Sequence, residues 1–136
     1  MADKTRRVEY YYVTVPDRPG EAKKVLSALK QSNVNLLACL AFPSGNGQTQ
    51  VDLVPKNVEA FKQAAGKAGL KLSDTKRAFL IQGDDRAGAV ADTLTKLADG
   101  NVNVTAAAAT TAGGNYGLLV WVSQADYERA AQALGA

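Results

Sequence analysis

The sequence predicts an α+β fold: two tandem ferredoxin-like βαββαβ modules, the second lacking its last strand. Three observations carry this. The stretch Val15-Pro16-Asp17-Arg18-Pro19-Gly20-Glu21 and the stretch Gly83-Asp84-Asp85-Arg86-Ala87-Gly88-Ala89 both contain Asp-Arg-x-Gly, at an offset of 68 residues. At that offset Leu26 meets Leu94, Leu29 meets Leu97, and Asn33-Val34-Asn35 meets Asn101-Val102-Asn103. Each copy then reaches a turn-forming run, Ser44-Gly45-Asn46-Gly47 in the first and Ala112-Gly113-Gly114-Asn115 in the second. A chain that repeats its turns and its apolar positions together is a tandem duplication.

The elements follow in order. Val8 to Val15 and Ala78 to Gln82 are β-branched or aromatic and end at turn residues, as strands do. After each loop, Ala22, Val25, Leu26 and Leu29, then Val90, Thr93, Leu94 and Leu97, recur at i, i+3, i+4, i+7, which predicts one buried helical stripe per copy. Val34–Phe42 and Val102–Thr110 read as strands, joined through their glycine-containing turns to Gln48–Val54 and Tyr116–Val122 as β-hairpins. Second helices are expected around Val58, Phe61 and Ala65, and around Tyr127, Ala130, Ala131 and Leu134. A short strand at Leu70 to Ser73 completes the first copy as β-α-β-β-α-β. Its counterpart would begin past Ala136. The second module therefore has a sheet edge to be covered by the N-terminal segment or by a second chain, and a homodimer is expected. The modules divide as residues 1–74 and 75–136.

Composition narrows the functions. There is no histidine, which removes His-based catalysis and most zinc and non-haem iron sites. The formal net charge is only +3, with no basic stripe beyond Lys4, Arg6 and Arg7, so nucleic-acid binding is not expected. Tyr10 and Tyr12 share a strand face, yet Gln48–Val54 holds no aromatic with which to build a base-stacking platform. The single cysteine, Cys39, lies in the apolar run Leu36 to Phe42 and reads as a buried, inert thiol. Trp121 pairs with Leu53 at the 68-residue offset and reads as core. A polar N-terminus and the lack of a bilayer-length apolar run predict a cytoplasmic protein without membrane attachment. No cofactor or metal is called for.

The two loops admit two readings. One is helix initiation: Asp17 or Asp85 as N-cap, Pro19 in the first turn, and Gly20 allowing helix to approach sheet. The other is ligand binding. The first amides of a helix lack intrahelical acceptors and lie at the positive end of its dipole, so they can receive a carboxylate. An Asp or Asn nearby can hold an ammonium group, and a free amino acid carries both charges on one carbon. Asn33 reads as a turn residue. Asn35 and Asn103, at the start of the strand after the first helix, suit either turn or ligand. A phosphate-cradling enzyme of this topology is excluded by the leading Asp17, which repels phosphate.

"VPDRPGEAKKVLSALKQSNVNL" resembles the opening of an ACT domain, the small ligand-binding regulatory module of amino-acid metabolism, and the resemblance spans nearly the whole chain as two copies. It implies ligand sites at interfaces between paired modules, built from the loop before the first helix and the start of the second strand. By position these are Asp17, Arg18, Pro19, Gly20 and Asn35, with Asp85, Arg86, Gly88 and Asn103 in the second copy, where Ala87 replaces the usual proline. It further implies a non-catalytic, allosteric regulator that binds an amino acid or similar metabolite and acts on another chain, a target enzyme or regulator. The alternative is a protein–protein interaction scaffold whose loops keep only their turn role. No pair of acid–base side chains stands at a spacing that marks an enzyme.

Overall fold

The computed structural model describes residues 3–136. Its elements are β1 (Lys4–Pro16), α1 (Glu21–Gln31), β2 (Leu36–Gly45), β3 (Gln48–Pro55), α2 (Val58–Lys67), β4 (Lys76–Asp84), α3 (Ala89–Asp99), β5 (Val104–Ala112), β6 (Asn115–Val122) and α4 (Tyr127–Leu134). They form two compact units. One is Glu9–Lys76; the other joins the described residues up to Val8 to Arg77–Ala136.

In the Glu9–Lys76 unit the strand order is β2-β3-β1. β3 is antiparallel to both neighbours, with Tyr12 opposite Asp52 on one side and Leu40 opposite Asp52 on the other. The turn residues Asn46 and Gly47 both take positive φ, as a two-residue type I′ hairpin requires. Strand alternation sends Tyr11, Val13, Val51 and Leu53 toward the helices, where they meet Val25, Leu29, Phe61 and Ala64. The rings of Tyr11 and Phe61 stack at 5.3 Å. Leu26 departs from the expected stripe: it is 38% exposed, while Val25 and Leu29 are buried and Ala22 packs beside them. Asn33 has φ 57° and closes α1, with Val34 N–H donating to the Leu29 carbonyl at 3.0 Å, so its turn role holds.

Two further expectations in this unit need correction. Leu70–Ser73 is not a strand. It lies along β1 through a bond from Ser73 N–H to the Tyr12 carbonyl and another from Tyr12 N–H to Ser73 Oγ, both 2.9 Å, so its serine side chain replaces part of the ladder. Cys39 is exposed rather than buried, since β2 is an edge strand. Its thiol is nevertheless pushed up, first by partial burial and then by the Asp52 carboxylate, which keeps it protonated and slow to react. Apolar neighbours in sequence signalled burial; edge position overrode them.

Asp52 is the buried charge of this unit, 5% exposed, with Gln50 Nε2 donating to its Oδ1 at 2.8 Å. Burial raises its carboxyl above 3.8, opposed by the Gln50 bond and by the Lys76 charge. A folded value above the unfolded one means that its contribution is full below the unfolded value and is lost as pH rises through the folded value. Asp52→Asn is therefore expected to raise the melting temperature near pH 7, and the gain should fade as pH falls toward 3.8. A melting series across that range checks it; a neutral-pH loss would contradict it.

In the second unit the order is β1-β4-β6-β5, with the start of β1 lying along the outer edge of β4. The N-terminal segment, one of the two expected candidates, thus covers that edge. Phe79, Ile81, Leu118 and Val120 pack on Leu97, Tyr127, Ala130 and Leu134. Phe79 stacks on Tyr127 at 4.5 Å, and the Tyr127 hydroxyl donates to the Ala78 carbonyl at 3.0 Å. β3 begins at Gln48 and β6 at Asn115, so the hairpins are related by one residue less than the loops. Trp121 accordingly matches Val54, not Leu53. It is buried, 7% exposed, on the face opposite Val120 and Val122, next to Ala106 of β5.

Candidate functional site

The two Asp-Arg-x-Gly loops are conformational copies. Asp17 N–H donates to the Gly47 carbonyl at 2.9 Å and Asp85 N–H to the Gly114 carbonyl at 3.0 Å, tying each loop to its own hairpin turn. Glu21 N–H reaches the Arg18 carbonyl and Ala89 N–H the Arg86 carbonyl, each at 3.3 Å. The N-cap residue is in both cases the glycine, with φ 86° at Gly20 and 83° at Gly88. This corrects the capping expectation. Neither Asp17 nor Asp85 caps a helix, Pro19 precedes the helix, and no side-chain bond comes from the cap residue. Nor does Gly20 serve close packing, since a Cβ there would meet nothing within 4 Å. The glycine is required by its left-handed backbone. An uncapped helix start leaves first-turn amides for an external acceptor.

Asp17, freed from capping, accepts from Thr49 Oγ1 at 3.0 Å, which holds its exposed carboxylate beside the loop. Arg18 lies 3.8 Å from Glu21, and its side chain is 70% exposed. In the second copy Asp85, Arg86 and Gly88 line a cavity of about 280 Å³ with Ala109, Thr110, Thr111 and Tyr116. The β5 residues and Tyr116 escaped sequence reading. Tyr116 is the counterpart of Thr49, and the one-residue slip of the hairpins was the signal that would have paired them.

Asn35 is placed elsewhere. Its Oδ1 accepts from Leu36 N–H at 3.0 Å and its carbonyl from Lys56 N–H at 3.0 Å. With Leu26, Leu29 and Lys30 it lines a cavity of about 450 Å³. It follows the C-terminal end of α1, whereas Asp17–Gly20 precede the N-terminal end. Eleven residues separate them along the helix, roughly 16 Å at 1.5 Å per residue. Asn103 stands in the same relation to Asp85, Arg86 and Gly88 across α3. A single module therefore does not bring its loop and its asparagine together.

Arg86 differs from Arg18 in its company. Its Nη1 and Nη2 donate to the two Asp3 oxygens, each at 3.1 Å, and Nη2 also reaches Asp92 Oδ2 at 3.3 Å. The Tyr116 hydroxyl donates to Asp3 Oδ2 at 2.7 Å. Arg86 first, then Tyr116, hold the Asp3 carboxyl below its usual range. The Tyr116 hydroxyl is pushed up by burial and by its bond to Asp3.

Among the described residues no three His, Cys, Asp or Glu side chains gather as a metal site, and no helix is long and apolar enough to cross a membrane. No family model and no curated protein matches the sequence. Solved structures do match over nearly the whole chain. Protein BT0572 from Bacteroides thetaiotaomicron has a TM-score of 0.81 at 14% identity, covering 96% of this chain and 88% of that one. The ligand-free regulatory subunit of aspartate kinase from Thermus thermophilus has a TM-score of 0.65 at 17% identity, covering 99% and 95%. The regulatory subunit of aspartate kinase from Thermus flavus gives 0.60 at 18%, covering 98% and 94%. The chain shares its fold with these structures, an α+β tandem of ferredoxin-like modules, as the sequence predicts.

Proposed function

We propose that this chain, a tandem of ACT-type modules in fold, is a non-catalytic cytoplasmic regulator that binds a free amino acid or a similar small metabolite. The observation that carries the reading is the loop Asp17–Gly20. Its helix start has no side-chain cap, and the Asp17 carboxylate is held beside it by Thr49. These supply an acceptor for the ammonium and donors for the carboxylate of an α-amino acid. Asn35 or Asn103 completes a site when another module presents it to a loop, as in a homodimer. Ligand bound in that way favours one pairing of modules over another, and the pairing is what a target protein of amino-acid metabolism senses. Two of the similar structures are regulatory subunits of aspartate kinase, which supports a regulatory role.

The test is a melting-temperature screen against the proteinogenic amino acids at millimolar concentration, paired with solution mass. At least one amino acid is expected to raise the melting temperature. Saturation at a hundred times Kd corresponds to about 2.7 kcal/mol. Indifference to all of them defeats the reading. The exposed apolar side chains of Leu26 and Phe42 favour a second one, a protein-interaction scaffold. That reading expects a fixed assembly whatever metabolite is added.

A further inference from the structure

The guanidinium of Arg86 already holds a carboxylate, and the carboxylate belongs to the chain itself. The paired 3.1 Å bonds to Asp3 have the two-pronged geometry by which arginine recognises acids, and Tyr116 adds a third donor to the same group. Gly83 makes room for it: a Cβ at that position would fall on Asp3 Oδ1 and crowd the Tyr116 ring. In the first copy the residue matching Gly83 is Val15, and the residue matching Tyr116 is Thr49. The arginine is thus duplicated, but the hydroxyl and the bare wall that complete a carboxylate seat stand beside the second arginine.

We propose that Arg86, Tyr116 and Gly83 form a carboxylate-binding site that the chain fills with its own Asp3, so that this seat takes a free small acid only when Asp3 is withdrawn. The inference deepens the reading of the loops as ligand sites and distinguishes the copies: the second arginine holds Asp3, whereas Arg18 of the first lies 3.8 Å from Glu21 of its own helix. Asp3 and Arg86 also line a cavity of about 390 Å³ whose wall includes Lys96, Ile81 and Leu134. A second cation and two aliphatic side chains suit a short aliphatic monocarboxylate.

The probe is acetate, compared with chloride at equal ionic strength, on the full chain. Asp3→Ala is expected to melt below the wild type and to recover at least half of that loss as acetate rises, saturably. The wild type and the double variant Asp3→Ala/Arg86→Gln are expected to show no such recovery. Asp3→Ser serves if Asp3→Ala melts too low to measure, and a saturable effect on the acetate methyl NMR signal should appear with either single variant. Recovery that persists without Arg86, or a single variant no more responsive than the wild type, overturns the proposal. None of these outcomes depends on an amino acid binding to Asp17–Gly20, so a failed metabolite screen and a failed acetate rescue remain separate results.

Discussion

Phe61→Ala is expected to destabilise the Glu9–Lys76 unit by about 3–5 kcal/mol, the usual range for deleting a fully buried phenyl ring. Phe61 is completely buried and stacks on Tyr11 at 5.3 Å. Tyr11 in turn accepts from Thr75 Oγ1 at 3.1 Å, so the ring pair links α2, β1 and the segment leading into β4. The neighbours of Phe61 in the cluster, Val25, Leu29 and Ala64, are apolar, so truncation leaves an apolar cavity. A unit of this size has little reserve, since whole domains are stable by only about 5–15 kcal/mol. Urea unfolding followed by far-UV circular dichroism checks the loss, with Phe61→Leu expected to lose much less. A change below about 1 kcal/mol would show that the site collapses around the missing ring.

Asp17→Asn is the change expected to matter most for ligand. It keeps the Thr49 hydrogen bond and removes the charge that the proposed site offers to an ammonium group. Hydrogen bonds to charged groups contribute about 1.5–3 kcal/mol, so affinity for the amino acid found in the melting screen should fall roughly 10- to 100-fold. The melting temperature without ligand should barely change, because Asp17 caps no helix. Titration calorimetry reads the first quantity and a thermal melt the second. Affinity unchanged by Asp17→Asn would remove Asp17 from the site.

Reading the sequence was effective wherever the signal was local. Helical spacing placed Val25, Leu29, Leu97 and the α4 face in the two cores. The turn residues place both hairpins, and Asn33 turns the chain at the end of α1. Reading failed where a residue's surroundings come from far along the chain. Cys39 sits among apolar neighbours, but its strand is an edge. Leu26 fits the helical period, yet of that stripe Val25 and Leu29 are the residues of α1 that are buried. Asp17 precedes a helix as an N-cap would, but its carboxylate turns to Thr49, 32 positions on.

The duplicated module, its order of elements and the two equivalent loops were determined by the sequence alone, because periodicity and turn chemistry act within a few residues and need no partner. What covers the open sheet edge, and what Arg86 holds, were decided by tertiary structure. Asp3 meets Arg86 across 83 positions, in a space that exists because Gly83 has no side chain. No local pattern encodes that contact: the strand pairing brings the segments together, and electrostatics then selects the carboxylate. The separation of Asn35 from Asp17 is also tertiary, set by the length of a helix that lies between them. Two loops written alike thus differ in what faces them.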